Sequence, residues 1–469
     1  MTHILTLDLG TTYFKACLFD LRGELAARAR RPAIKEAPAP GRCELDPQWF
    51  RRTIAELIAE VGRGAGGLAG TAAVAFATQT NSFLLLDRSD RPLTPIILWP
   101  DDRARQMADE RLQLLSGPAL RAATGVPKIG GQFMVAKLLW LRENSPDIWS
   151  RTKRICLLSD YLTLWFTGRH AAEAGAAGLT GLLDVHRLSW RPEPCAMLEL
   201  PSAWLPECVR AGADLGPIRA EAAADLGLPP ACRFVVGCLD QYAGAIGAGN
   251  IEPGGVSETT GTVLATVRCA ERFDADLPPN VFQGPGFAPE IVYQMVFGDV
   301  SANLLEAFRN SLPDCPDFEE IVAAAAEIPP GADGLRFDRL AGQPGVAPLF
   351  RGLSERHGRG HKVRAILEAV AFALADQVAE LCGGVRPAEI RSLGGAARSA
   401  LWRQIKADVL GCPVTASLCP EPTSLGAAML AAVALGLGQP AEIVSAWARF
   451  GTPANPNPRG YGTGFAGFS

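Results

Sequence analysis

The 469-residue sequence is poor in the features that several large classes of protein require. It has only 5 His, none beside another, so the sequence offers few candidates for a catalytic histidine or a histidine metal site. Its 45 basic and 49 acidic side chains leave a net charge of -4, without the positive excess that nucleic-acid binding needs. No apolar run reaches the roughly 20 residues that span a bilayer. We therefore expect neither a nucleic-acid partner nor a membrane protein.

Several well-known motifs are also missing. Gly is nowhere followed directly by Lys, which excludes a phosphate-binding P-loop, and the zinc-protease pattern H-E-x-x-H and the serine-hydrolase pattern G-x-S-x-G do not occur. The 12 Cys show no C-x-x-C spacing and are interpreted as reduced, buried, small apolar residues. The first ten residues predict a strand and no signal peptide, so we expect a cytoplasmic protein, with a homodimer left open.

The sequence has enough length and apolar content for two folded domains. Hydrophobic residues make up 48% of the chain, and single cores rarely grow past roughly 300 residues. Residues 4–7 and 14–19 predict two strands of a hairpin, and 255–267 predicts a second hairpin in the other half. Residues 363–381 and 399–410 predict amphipathic helices. These patterns indicate an α/β protein.

Asp8 stands where the first predicted strand meets the turn formed by Gly10, Thr11 and Thr12. Gly lets the backbone approach a phosphate closely, Thr hydroxyls and backbone N–H groups donate to phosphate oxygens, and a carboxylate holds Mg²⁺. The same residues also form ordinary hairpin turns, so that interpretation stays open.

A second turn in the other half of the chain offers the same donors through Gly261 and Thr262. It would bind the other side of a polyphosphate. Two such turns about half a chain apart suggest two related α/β domains.

Asp240 follows a strand predicted over 233–236 and precedes a Gly/Ala-rich helix. Ligand clefts of α/β sheets form at the carboxyl ends of strands. Asp240 is therefore either a helix cap or a general base. Phosphoryl transfer asks only that a hydroxyl be positioned and lose its proton late, which a carboxylate can do.

Small residues also follow a strand predicted over 389–392. Gly394 and Gly395 stand there, with Ser399 at the start of the next predicted helix. Such residues let a flat adenine ring lie against the backbone, although a plain strand-to-helix turn needs them equally.

Taken in order, these residues resemble the FGGY carbohydrate kinases, which share a fold with actin and hexokinase. The resemblance covers nearly the whole chain, and its motifs are Asp8-Leu9-Gly10-Thr11-Thr12, Trp99-Pro100-Asp101-Asp102-Arg103, Lys137 to Asn144, Gly237 to Ala245, Gly394-Gly395-Ala396 and Glu421 to Ala428.

The resemblance implies two RNase H-like (actin-like ATPase) domains, residues 1–243 and 244–469, around a central cleft. It implies ATP-dependent phosphorylation of a small sugar, such as a ketopentose, or of a polyol. Asp240 would be the general base and Asp8 the Mg²⁺ anchor. The remaining cofactor-binding positions would be Gly10, Thr11, Thr12, Gly261, Thr262, Gly394, Gly395 and Ser399.

The substrate pocket is predicted from polar and aromatic residues that would match hydroxyls and pack on a sugar face. These are Gln79, Asn81, Trp99, Asp101, Arg103 and Gln241. For each of these residues, an ordinary structural role is an equally weighted alternative to substrate binding. The segment 79–81 matches neither the Gln-Arg-Glu of glycerol kinases nor the Gln-Met-His of xylulokinases, and the stretch 336–345 is short for the family. A catalytically diverged nucleotide-binding regulatory protein is therefore the alternative function.

Overall fold

The computed structural model describes residues 2–107, 112–338, 350–457 and 461. The chain divides into two compact units and passes from one to the other five times, whereas the sequence predicted a single change of domain after residue 243. Most of the short stretch 336–345 lies outside the described residues. Unit 1 comprises Met1–Ile251, Ala270–Tyr293 and Thr423–Ala448, and unit 2 comprises Glu252–Cys269, Gln294–Pro422 and Arg449–Ser469.

The strands are mostly short and apolar. In chain order they are β1 (His3–Leu9), β2 (Tyr13–Asp20), β3 (Leu25–Pro32), β4 (Glu44–Leu45), β5 (Thr71–Thr78), β6 (Phe83–Leu86), β7 (Ile96–Ile97), β8 (Arg154–Leu157), β9 (Ala171–Glu173), β10 (Leu183–Asp184), β11 (Ser189–Trp190), β12 (Glu207–Val209), β13 (Asp214–Pro217), β14 (Arg233–Val235), β15 (Cys238–Leu239), β16 (Val256–Thr260), β17 (Leu264–Ala270), β18 (Phe282–Pro285), β19 (Val292–Gly298), β20 (Arg336–Phe337), β21 (Phe350–Arg351), β22 (Ile390–Leu393) and β23 (Val414–Ala416).

Helices alternate with these strands along most of the chain. They are α1 (Pro47–Gly64), α2 (Pro118–Thr124), α3 (Met134–Asn144), α4 (Pro146–Arg151), α5 (Leu158–Thr167), α6 (Ala174–Gly178), α7 (Pro192–Met197), α8 (Ala220–Leu226), α9 (Asp240–Gly247), α10 (Ala302–Asn310), α11 (Phe318–Ala326), α12 (Arg359–Cys382), α13 (Ala400–Leu410), α14 (Pro422–Ala434) and α15 (Pro440–Trp447). The expectation of an α/β fold is confirmed.

Unit 1 is built on a sheet of order β13-β14-β5-β1-β2-β3, in which β15 also pairs with β5. The predicted hairpin is confirmed, because β1 and β2 pair antiparallel through the turn at Gly10. β1 and β5 run parallel. Helix α1 covers this sheet, and the Asp46 carboxylate caps it by accepting from the backbone N–H groups of Gln48 and Trp49.

Unit 2 contains a second sheet in which β16 pairs antiparallel with β17 and parallel with β22, and β23 lies parallel to β22. The hairpin predicted over 255–267 is thus confirmed. Helices α12 and α13 correspond to the two amphipathic helices predicted here, and their apolar faces contribute to the cores of unit 2. All 12 cysteines are free thiols. Within the described ranges, no helix combines the length and apolarity that crossing a bilayer requires.

Candidate active site

Three parallel strands of unit 1 end side by side. Strands β1 and β15 both finish in register with Thr78, the last residue of β5. The next residue after each strand is Gly10, Gln79 or Asp240. The carboxyl edge of this sheet therefore brings together one predicted residue each for the cofactor, the substrate and the base, as expected of an α/β ligand site.

The electrostatics of this edge make Asp240 a better base than an ordinary aspartate. Enclosure of its carboxyl and the negative charge of Asp8 raise the pKa of Asp240 to about 8, against the lowering effects of the Gln241 backbone N–H and of Lys15. Lys15 faces Asp8 across the β1–β2 hairpin, with its Nζ 3.1 Å from Asp8 Oδ2. A base whose pKa lies near the working pH removes a proton more readily than one near 4.

The carboxylate of Asp8 also offers oxygen ligands of the kind that Mg²⁺ prefers. Such sites commonly use one or two carboxylates together with substrate phosphates. The donor set fits Mg²⁺ in that arrangement. Within the part of the chain that the structure describes, no group of three or more His, Cys, Asp or Glu side chains could hold a metal by itself.

One hydrogen-bonded cluster joins the predicted phosphate turn to two predicted substrate residues. The Thr11 hydroxyl accepts from Trp99 Nε1 at 2.7 Å and donates to Gln79 Oε1 at 3.4 Å. The Gln79 amide in turn donates to the Gly10 carbonyl at 3.2 Å. A Cβ at Gly10 would lie 2.9 Å from the Tyr13 carbonyl oxygen, so the tight turn requires glycine. Thr12 is exposed and Trp99 is half-buried, so both have surface to offer a ligand.

Asn81 lies beside this cluster but uses its amide on the backbone. Its Nδ2 donates to the Leu179 carbonyl at 3.0 Å, and its Oδ1 accepts from the Met134 N–H at the start of α3 at 2.8 Å. Its φ of 58° is in the left-handed region, which Asn tolerates better than most residues. These contacts support the structural alternative for Asn81. Gln241, beside the base, is half-buried.

Asp101 and Arg103 form an ion pair at the interior of unit 1. Arg103 Nε donates to Asp101 Oδ1 at 2.7 Å, and the guanidinium also pairs with Glu44 at 2.5 Å. Asp101 further accepts from the Cys43 N–H at 2.7 Å, and these donors hold the pKa of Asp101 below its usual value despite burial. No local pattern marks Glu44 as part of this network, because it lies 59 residues from its partner Arg103.

We expect Arg103→Met to lower the free energy of unfolding by about 3–5 kcal/mol, because it leaves two buried carboxylates without their counter-charge. Arg105→Met is the matched control. Arg105 is 80% exposed and pairs with Asp102 at 3.2 Å, so its loss should cost at most about 1 kcal/mol. Urea unfolding of both variants measures the difference. Equal effects would contradict a structural role for the Arg103 network.

Two further buried charges, whose contacts the sequence did not predict, hold this region. Lys137 is fully buried and donates to the carbonyls of Leu98 and Trp99 at 2.8 and 3.0 Å, while burial lowers its pKa to about 7. Glu173 caps α6 and also accepts from the Leu239 N–H at 3.3 Å, directly before Asp240. Of these two residues, only Lys137 was marked in the sequence, because it is the first residue of the segment Lys137 to Asn144 that resembles the FGGY carbohydrate kinases.

Unit 2 repeats the arrangement of parallel strand ends. Thr259 of β16 pairs in register with Leu393 of β22, so the turn with Gly261 and the turn with Gly394 leave the same edge of the sheet. Gly394 has a φ of 79°, which favours glycine, and both Gly394 and Gly395 are exposed. Thr262 is exposed as well. This edge therefore presents donors and open backbone, as a nucleotide site requires.

Ser399 is placed at the start of α13. Its hydroxyl accepts from the Trp402 N–H at 3.1 Å and so caps the helix. This contact gives Ser399 a structural role in addition to the predicted cofactor role.

Comparison with known proteins points to one family. The N-terminal domain of the FGGY family of carbohydrate kinases matches residues 3–247, and the C-terminal domain of the same family matches residues 329–435.

Individual relatives and solved structures agree with that match. A xylulose kinase of Lactococcus lactis is 29% identical over 95% of this chain and 90% of its own length. A glycerol kinase of Dechloromonas aromatica is 31% identical over 95% and 91%, and a gluconokinase of Bacillus licheniformis is 25% identical over 95% and 90%. The crystal structure of xylulose kinase from Rhodospirillum rubrum superposes with a TM-score of 0.88 at 28% identity, covering 98% of this chain and 95% of that one.

Proposed function

The chain belongs to the FGGY family of carbohydrate kinases, and from this premise we propose that it transfers the γ-phosphoryl group of ATP to a hydroxyl of a small neutral sugar or polyol, with Asp240 as the general base. The family match makes it an ATP-dependent phosphotransferase that acts on alcohol groups. The structural match bears out the α/β fold with actin-like ATPase domains. The proposal rests most on Asp240, whose carboxyl stands at the strand edge beside Asp8 with a raised pKa.

The chemistry follows from this placement. The Asp240 carboxylate accepts the hydroxyl proton as the substrate oxygen bonds to the γ-phosphorus. The bond from that phosphorus to the oxygen bridging it to the β-phosphorus breaks, and ADP leaves with the electron pair. Because the transition state is loose, the base needs to take the proton only late, and position matters more than basic strength.

The remaining predicted residues divide between the two units. In unit 1, Asp8 would hold Mg²⁺, which neutralises phosphate charge when bound, and the turn of Gly10, Thr11 and Thr12 would donate to the phosphates. In unit 2, the turn of Gly261 and Thr262 would do the same.

The edge of β22 in unit 2 would receive the adenine. Gly394 and Gly395 leave the backbone there open to a flat ring, because neither carries a side chain and both are exposed. Ser399, which begins the following helix, completes the proposed nucleotide contacts.

The charges of the predicted substrate residues favour a neutral substrate. Arg103 is the cation of that set, and its guanidinium is already neutralised by Asp101 and Glu44. A sugar acid such as gluconate would need a cation of its own. We therefore favour a ketopentose such as xylulose, or a polyol such as glycerol, over the substrate named for the gluconokinase relative.

A substrate panel tests this proposal. Formation of ADP is measured with xylulose, other pentuloses, tetritols, glycerol and gluconate at equal concentrations, and the phosphorylated product is identified by mass spectrometry. We expect at least one neutral compound to exceed gluconate by about tenfold or more in kcat/KM, since a buried charged group without a partner costs more than about 1–3 kcal/mol and tenfold corresponds to about 1.4 kcal/mol. A preference for gluconate would contradict the neutral pocket. Nucleotide binding without turnover of any compound would favour the regulatory alternative.

A further inference from the structure

Unit 2 contains a charged cluster that is entirely closed to solvent. Lys406 of α13 and Glu258 of β16 form an ion pair, with Nζ 2.7 Å from Oε1, and both side chains have 0% exposure. Two hydroxyls complete the cluster. Lys406 Nζ donates to Thr260 Oγ1 at 2.8 Å, Thr260 Oγ1 donates to Glu258 Oε2 at 2.7 Å, and Ser392 donates to Glu258 Oε1. The Glu258 carboxylate therefore accepts three hydrogen bonds.

The cluster connects the three elements that carry the proposed nucleotide contacts of unit 2. Thr260 is the last residue of β16 and is followed directly by Gly261. Ser392 lies in β22, two residues before Gly394. Lys406 lies in α13, the helix that Ser399 begins. One carboxylate and one ammonium group thus fix the ends of two strands relative to one helix.

Burial of this pair is poorly explained by stability alone. Replacing a buried ion pair by apolar side chains of similar volume is often neutral or stabilising, because desolvation offsets the attraction. An apolar pair would also suit α13, where Trp402 and Ile405 are already buried. Apolar contacts, however, do not fix the direction of a hydroxyl or the end of a strand. Hydrogen bonds from two strands to one carboxylate are directional and therefore fix both.

We propose that Glu258 and Lys406 are positioning residues for the nucleotide, holding the turn of Gly261 and Thr262 in register with the turn of Gly394 and Gly395. The inference rests on the proposed function, since it assumes that these turns bind ATP. Neither side chain touches the nucleotide, because both are closed to solvent. Their effect is transmitted through the backbone after Thr260 and Ser392.

The main test replaces the whole pair, as Glu258→Met with Lys406→Met. We expect the unfolding midpoint to stay near that of the wild type, whereas the Kd for MgADP and the KM for ATP rise by about tenfold, the order of effect that a small misplacement of binding groups produces. The KM for the sugar is expected to stay unchanged. Isothermal titration with MgADP and steady-state kinetics measure the three constants.

A matched control is the second buried ion pair of unit 2, Arg364 with Glu368, whose charged atoms are 2.7 Å apart within α12. Replacing both by Met removes a buried pair of the same type. These residues bond to neither turn, so the KM for ATP should not change. A rise equal to that of the main variant would show a general effect of losing buried charge and would overturn the inference.

A milder pair of variants decides the question if the double replacement does not fold. Thr260→Val keeps the shape and the ion pair but removes the hydroxyl and its two hydrogen bonds, to Lys406 and to Glu258. It should raise the KM for ATP by about threefold or more, since each lost hydrogen bond is worth about 0.5–1.5 kcal/mol. Thr260→Ser keeps the hydroxyl and should restore the wild-type value. Equal ATP constants for the Val and Ser variants would overturn the inference. A wild-type protein that binds no MgADP would instead overturn the proposed function.

Discussion

Asp240→Asn is expected to lower kcat for phosphoryl transfer by about 10²–10⁴-fold, the usual contribution of a general base. The amide has nearly the same shape as the carboxyl and accepts from the Gln241 N–H as the carboxylate does, at 2.9 Å. It cannot, however, accept the substrate proton. The Kd for MgADP should therefore change little, because the turns of unit 2 remain intact. Rapid-quench kinetics and titration with MgADP measure the two quantities.

The pH dependence distinguishes loss of the base from general damage. Since burial and Asp8 raise the pKa of Asp240, the carboxyl is largely protonated below that pKa and cannot act as a base. Wild-type kcat should then rise as the pH increases through this range, while the residual rate of the Asn variant stays flat. Asp225→Asn, an exposed change in α8, is the control and should leave kcat unaltered. A fall of less than tenfold in Asp240→Asn would contradict the assignment.

Local sequence patterns predicted the parts of the site that neighbouring residues build. The β1–β2 hairpin follows from two apolar runs around a Gly/Thr turn, and its register then places Lys15 opposite Asp8. The alignment of Gly10, Gln79 and Asp240 at one sheet edge was harder to predict from the sequence. This alignment depends on the pairing of both β1 and β15 with β5, and no local sequence pattern indicates the order of strands in a sheet.

Buried charges show where prediction from sequence stops. Lys406 lies among apolar residues of α13 at helical spacing, and its partner Glu258 is 148 residues away. Nothing local distinguishes such a lysine from one at the surface, because the carboxylate that makes its burial possible comes from another element. Asn81 illustrates the opposite case. Its segment drew attention as a substrate contact, yet its amide satisfies two backbone groups 98 and 53 residues away.

The two sheets have the same arrangement at their carboxyl edges. In each unit, parallel strands finish in register, and short turns with Gly and Thr follow at that edge. A backbone N–H group at such a turn can donate to a phosphate oxygen where it has no partner within the sheet. Overall charge therefore matters little. A net charge of -4 is compatible with binding of a polyphosphate, because the proposed donors and carboxylates are local.

Gly237→Ala should be the most damaging single-methyl change in unit 1. Gly237 separates β14 from β15, both of which pair with β5. A Cβ there would lie 1.5 Å from the carbonyl oxygen of Phe76 and 2.4 Å from its carbonyl carbon. Both obstacles are backbone atoms of the central strand, so no rotamer change can relieve the clash. We expect the free energy of unfolding to fall by about 3 kcal/mol, the upper end for overpacking.

The stability control is Gly395→Ala. Gly395 has helical dihedral angles, and a Cβ there would meet nothing within 4 Å. Its replacement should leave stability unchanged or raise it by up to about 1 kcal/mol, through the lower entropy of the unfolded chain. Urea unfolding compares the two variants, and amide exchange along β5 locates the damage. Similar stabilities would contradict the close approach of Gly237 to Phe76.

The effect of Gly237→Ala on catalysis follows from the distance along the chain to Asp240, which is three residues. If the methyl group pushes β15 away from β5, the carboxyl moves with it, because Asp240 comes directly after that strand. A displacement of about 1 Å can lower kcat by about 10²-fold without removing any catalytic group. We therefore expect low kcat with a nearly normal Kd for MgADP in the fraction that remains folded. Normal kcat in that fraction would show that the position of Asp240 does not depend on the β15–β5 pairing.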